Sequence, residues 1–196
     1  MKSKHLEELI YRTGMVKQDV RDEFYNLTAF QLNWKPSPDA WSIAQCLDHV
    51  MVADRMYFPQ VEAILNGRYR RPFWSLVPGK SKVWGRLMIS LLKDHNRKIE
   101  TVDIFFPTNS KVSEAVVDEF LAHEDLVSDY LHRMDAVDNT KYYVKWAVSK
   151  YITYTLRDLA EIMLLHQERH FRQAKRLMSM EKFPKADKAY RSGEEE

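Results

Sequence analysis

Apolar positions recur at helical spacing through most of this 196-residue chain. Leu6, Leu9, Ile10, Val16, Val20, Phe24 and Leu27 follow three- and four-residue steps with charge between them, predicting a first helix over residues 4–32. Pro36 and Pro38 force a turn after it. Ser42 and Gln45 have the spacing of a capping box, and Trp41 precedes them where it can staple to Cys46. A second helix therefore starts at Ser42 and runs to Asn66-Gly67, a natural C-terminal stop. Val116, Phe120, His123, Val127, Tyr130 and Met134 alternate steps of four and three, the seam of a helix over 112–135. Thr155 caps another helix, with Asp158 placing negative charge in its first turn.

Between these segments the signals weaken. Residues 67–80 read as a loop, 81–94 as a short helix and 95–111 as irregular, an insertion over 67–111 between the second and third main helices. The aromatic-rich stretch 141–154 reads as extended or irregular. The expected fold is all-α, an antiparallel four-helix bundle forming one domain over residues 1–180. A charged, flexible tail over 181–196 follows it.

Composition narrows the function classes. An apolar share of 45% with 30% charged residues is that of an ordinary globular protein. A net charge of +2, with basic residues scattered apart from Arg68, Arg70 and Arg71, gives no reason to expect nucleic acid as a partner. No apolar run approaches the ~18–20 residues that span a bilayer, and the N-terminus lacks an apolar signal core. A single cysteine excludes an internal disulfide. These features predict a cytoplasmic protein with a small-molecule substrate and neither a membrane nor a nucleic-acid partner.

The candidate chemistry lies in the histidines. His166 and His170 are four apart, about 40° around one helix, on the same stripe as Leu159, Ile162, Met163 and Leu177. His49 lies on the inward stripe of the second helix with Gln45, Val52, Ala53 and Met56. Three imidazoles on two facing stripes can hold one metal ion and leave a position open. They can equally be core histidines satisfied by backbone or by each other. Gln45 and Gln173 can orient the imidazoles, contact a ligand in the open position, or satisfy one another. His123 either lines the site or is a satisfied core group, and Tyr57 is a pocket candidate that also fits the core. Cys46 is three residues before His49, but among Ala44, Leu47 and Val50 it reads as a small hydrophobe rather than a ligand. Two metal classes are disfavoured. Gln167 stands where a zinc protease motif needs glutamate, and Glu168 falls on the opposite, solvent side of the helix. None of His49, His166 and His170 has glutamate three residues before it, as di-metal bundles require.

The run Leu32-Asn33-Trp34-Lys35-Pro36 followed by Trp41 to His49 resembles the N-terminal signature of the DinB/YfiT-like superfamily. Tyr154 to Asp158 followed by His166 to Gln173 is similar to its C-terminal signature. The middle, 67–150, carries no matching motif. The resemblance implies a four-helix bundle with a triple-histidine site at His49, His166 and His170, a divalent metal such as zinc or nickel, and homodimers. It also implies transferase or isomerase chemistry on a low-molecular-weight thiol such as bacillithiol or mycothiol, or metal-dependent hydrolysis. The alternative is a non-enzymatic, stress-associated bundle that binds a metal or other ligand, or whose histidines are structural.

Overall fold

The computed structural model describes residues 3–94, 112–113 and 115–185. It is mostly helical, as expected, with one small antiparallel hairpin. The helices are α1 (Lys4–Phe24), α2 (Ala29–Asn33), α3 (Ile43–Arg55), α4 (Phe58–Leu65), α5 (Lys80–Lys93), α6 (Val116–Met134) and α7 (Leu156–Met178). A 3-10 turn, Phe73–Leu76, precedes α5, and strands β1 (Tyr143–Trp146) and β2 (Ser149–Thr155) precede α7.

Two predicted helices are broken. The first ends at Phe24, because Thr28 starts α2 afresh by accepting from the Gln31 N–H while the Gln31 side chain accepts from Thr28. The second divides at Met56-Tyr57, where Pro59 enters the first turn of α4. Proline lacks an N–H and fits a first turn, so the chain restarts there instead of continuing. At the end of α4, Gly67 adopts a φ of 68°, and the Gly67 and Arg68 amides bond back to Ile64 and Ala63. That closure is the predicted stop.

The stretch over 141–154 is largely a hairpin, with Tyr143 opposite Thr155 and Val144 opposite Tyr154, and an irregularity between Lys145 and Trp146. The irregular stretch expected over 95–111 lies outside the described residues, as do 186–196 of the expected tail. Residues 183–184 are held against α2: Phe183 meets Trp34 edge-on at 5.4 Å, and the Pro184 carbonyl accepts from Gln31.

The core lies among the long helices. α1 packs on α6 and α7, and α3 packs on the same two. Leu6, Val20, Phe24, Ile43, Met51, Phe120, Leu156 and Leu159 are essentially solvent-free within it. Outside this core α5 crosses α7 and β2, so close to the start of α7 that Gly85 meets the Asp158 side chain where a Cβ would stand. No described helix is long and apolar enough to cross a membrane.

Candidate metal centre

Two capping boxes and one packed seam build the site. Ser42 accepts from the Gln45 N–H and the Gln45 side chain accepts from Ser42, fixing the start of α3 with His49 on its second turn. Thr155 and Asp158 repeat the arrangement for α7, which carries His166 and His170. Packing of α3 against α7 brings the three side chains together.

The imidazole centroids form a near-regular triangle, 4.9, 4.5 and 4.6 Å on its edges, with the rings strongly inclined to one another. His49 and His170 are buried and His166 is partly exposed. Trp41 covers them, stacked on His170 at 5.7 Å and inclined to His49 at 4.7 Å. The Gln173 side chain bonds to His170. Burial drives the His166 pKa down to about 3, and neighbouring His49 and Arg169 push the same way. Burial, then His166, His49 and Arg169, holds His170 far below the usual histidine range. His166 and His170 are thus neutral at pH 7, each with one unprotonated ring nitrogen.

These groups fit a metal ion. His49 Nε2 and His166 Nε2 are 3.1 Å apart. Two nitrogens each bonded at ~2.0–2.1 Å to one ion stand roughly 2.8–3.4 Å apart for coordination angles between a right angle and a tetrahedral one. One ligand atom from each of the three histidines lies within 4.8 Å of the other two. His170 Nδ1 is buried with no hydrogen-bond partner. Among the described residues no carboxylate or thiol joins the cluster, so its donors are all neutral.

The structure brings together His49, His166, His170 and Gln173. It engages Gln45 in the α3 capping box, and the Tyr57 hydroxyl lies 2.5 Å from that of Tyr154 in the core. His123 lies in a different cluster, its Nε2 bonded to Asp54 at 3.1 Å and its Nδ1 buried without a partner. Cys46 is buried, its thiol pushed up to about 12 by burial, as a packing residue would be. Glu168, expected in solvent, instead accepts from Arg12 at 2.8 Å in a half-buried pair between α1 and α7.

A second polar cluster escaped the stripe argument. Asp54 is 1% exposed, and its Oδ2 accepts from both His123 and Gln167, the latter at 2.9 Å. Glu124 is also 1% exposed and neither carboxylate oxygen has a partner. Burial first, then the Asp54 carboxylate, raises its pKa well above the ordinary value against the pull of Lys17. For Asp54 the available signal was the broad apolar face of α3, where Ile43, Ala44, Leu47, Val50, Met51 and Ala53 do not fall on one narrow stripe. A helix buried on most sides carries its polar residues into the core wherever they fall.

A family model described as the DinB superfamily matches residues 15–174. No curated protein and no solved structure matches the chain.

Proposed function

The chain belongs to the DinB superfamily, and from that premise we propose that it is a metal-dependent enzyme whose His49, His166 and His170 hold one divalent ion, zinc or nickel. The observation that carries the reading is the convergence of three imidazoles from two helices, two of them held neutral at pH 7 by their surroundings. We read α1, α3, α6 and α7 as the bundle that frames this site, consistent with their mutual packing. A divalent ion there supplies Lewis acidity that lowers the pKa of a bound thiol or water. The chain's own contribution is positional. Gln173 orients His170, Trp41 excludes water from one side, and burial keeps His166 and His170 unprotonated as donors. An all-neutral ligand set leaves the full charge of the ion uncompensated, which favours an anionic fourth ligand. A low-molecular-weight thiol, entering as thiolate, suits that preference. We therefore place thiol S-transfer ahead of hydrolysis, with a small-molecule electrophile as the other substrate, acting in the cytoplasm as a monomer or homodimer.

One observation favours a second reading. The 3.1 Å His49–His166 contact also satisfies two neutral imidazoles without any ion. The chain would then be a non-enzymatic bundle with structural histidines. Metal analysis of protein purified without a histidine tag separates the two. Wild type should carry close to one equivalent of metal, and a His49→Ala, His166→Ala, His170→Ala variant none. Equal metal content in both would refute the site. Added zinc or nickel at about a hundredfold over its Kd should raise wild-type stability by roughly 2.7 kcal/mol. Activity toward thiol and electrophile pairs is then assayed on the metal-loaded protein.

A further inference from the structure

The balanced net charge conceals a strongly one-sided surface. From Ala63 to Lys93 the chain has no acidic residue, and from Asn139 to Arg157 it again has none. The fold joins these two stretches. The Phe73–Leu76 turn packs on β2 and α5, and α5 packs on β2. Ser81 bonds to Thr153 at 2.8 Å, and Trp74 meets Tyr151 edge-on at 5.2 Å. Arg68, Arg70, Lys82, Arg86, Lys145 and Lys150 are exposed on this unit, and no carboxylate of the described residues pairs with them. Lys93, at its far end, is neutralised by Glu161.

Exposed apolar side chains lie among these cations. Phe73 is 72% exposed and Val83 65%, with Leu76, Val77 and Leu87 also open to solvent. On α5, Val83 and Leu87 are four apart, beside Lys82 and Arg86 at the same spacing. The outward face of this helix is therefore an apolar stripe next to a basic one, while Ser81, Gly85 and Leu92 are its buried residues. Exposed apolar residues grouped this way mark an interaction surface.

We propose that this face, formed by the Phe73–Leu76 turn, α5 and β2, docks on an anionic lipid bilayer surface. Charge and apolar character choose among the possible occupants. A second copy pairing through the same face would bring an equally basic surface against this one, which repulsion disfavours. Nucleic acid would satisfy the cations, but aliphatic Leu76, Val77, Val83 and Leu87 gain nothing from a phosphodiester backbone. An anionic bilayer meets both halves: headgroups neutralise the lysines and arginines, and the apolar side chains enter the interfacial layer. Docking of this kind is peripheral and leaves the fold intact. It would present the chain to hydrophobic or membrane-derived small molecules.

The test is vesicle cosedimentation of the full-length protein. One set of vesicles is phosphatidylcholine alone, and another contains about a third phosphatidylglycerol. Binding is expected to the anionic vesicles only, and to fall severalfold as salt is raised. A Lys82→Glu, Arg86→Glu variant should bind at least about tenfold more weakly, and so should a Leu76→Ser, Val83→Ser, Leu87→Ser variant. Both alter exposed side chains, and circular dichroism checks that they fold. The proposal is overturned if wild type binds neither vesicle or binds both equally. It is equally overturned if the serine variant keeps full binding or duplex DNA competes the protein off as a better ligand, since either would make the face a general polyanion site.

Discussion

Glu124 offers a measurement in which one buried carboxyl reports on itself. It lies on α6 at 1% exposure with both oxygens unpartnered, and burial together with the Asp54 carboxylate raises its pKa well above the ordinary 4.5. A group whose folded pKa is raised contributes its stability fully below the unfolded value and loses it as pH rises through the folded one. Wild type should therefore lose stability above pH 4.5 by up to about 1.4 kcal/mol per pH unit, for as long as Glu124 remains protonated in the native state. Glu124→Gln has the same shape and no proton to lose. Urea unfolding of both proteins at several pH values between 4.5 and 8 gives the difference directly. Every other titrating group is shared and cancels. The variant should gain on wild type as pH rises above 4.5, by up to about 1.4 kcal/mol per unit while Glu124 stays protonated, above a pH-independent offset from the amide itself. A difference that stays flat across the range would show that Glu124 is solvated or paired and carries no raised pKa.

The imidazoles should act in the opposite direction. In metal-stripped protein, the His166 pKa of about 3 lies below its unfolded value of 6.5, so its contribution is present above pH 6.5 and lost as pH falls toward 3. The loss should approach about 1.4 kcal/mol per pH unit, and a His166→Asn variant should show a shallower acid limb in urea melts. Asp54→Leu removes the acceptor shared by His123 and Gln167 and strands two buried donors, which should cost about 1–3 kcal/mol for each. No loss in thermal unfolding would count against the network. Gly85→Ala should lower Tm, because the new Cβ would sit 2.7 Å from Asp158 Cγ and force either α5 away from α7 or Asp158 out of its capping box. Overpacking of that kind costs typically ~1–3 kcal/mol, and an unchanged Tm would mean that α5 rests loosely on α7.

Local chemistry was legible in the sequence wherever it acts over three or four residues. The Ser42–Gln45 and Thr155–Asp158 caps and the Asn66-Gly67 stop stand where their spacing predicts. Pro59 was equally readable as a first-turn residue, but an unbroken apolar pattern masked the restart of the helix. The hairpin was hidden for a different reason. Its connection, Ala147-Val148, carries none of the Gly or Asn signals of a tight turn, so only the β-branched and aromatic content of the strands marked it. The three histidines were legible because each shares a stripe with its apolar neighbours. Asp54, Glu124 and Gln167 were not, because a single stripe per helix describes none of α3, α6 and α7, each of which buries residues outside its predicted stripe. The basic face was lost in the sum: chain-wide charge balances, while tertiary structure gathers the acid-free segments together.

The two polar clusters share the same pair of helices, and that bears on what removal of the metal ligands will do. Successive residues of α7 reach different partners on α3: His166 meets His49, and Gln167 donates to Asp54. Polar ties at two levels of one seam fix the helices against sliding, which apolar packing alone tolerates more readily. Asp54 also ties α6 in through His123, and neither bond involves the three imidazoles. Register should therefore survive loss of the histidines, since the Asp54 tie remains and Met51, Leu159 and Met163 of the same two helices stay buried in the core. The His49→Ala, His166→Ala, His170→Ala variant is expected to keep wild-type helical content at 25 °C by circular dichroism, with a lower Tm. Collapse of that content would mean that the imidazole triangle itself holds α3 to α7. A folded variant that no longer responds to zinc or nickel would separate the chemistry of the triangle from the architecture that presents it.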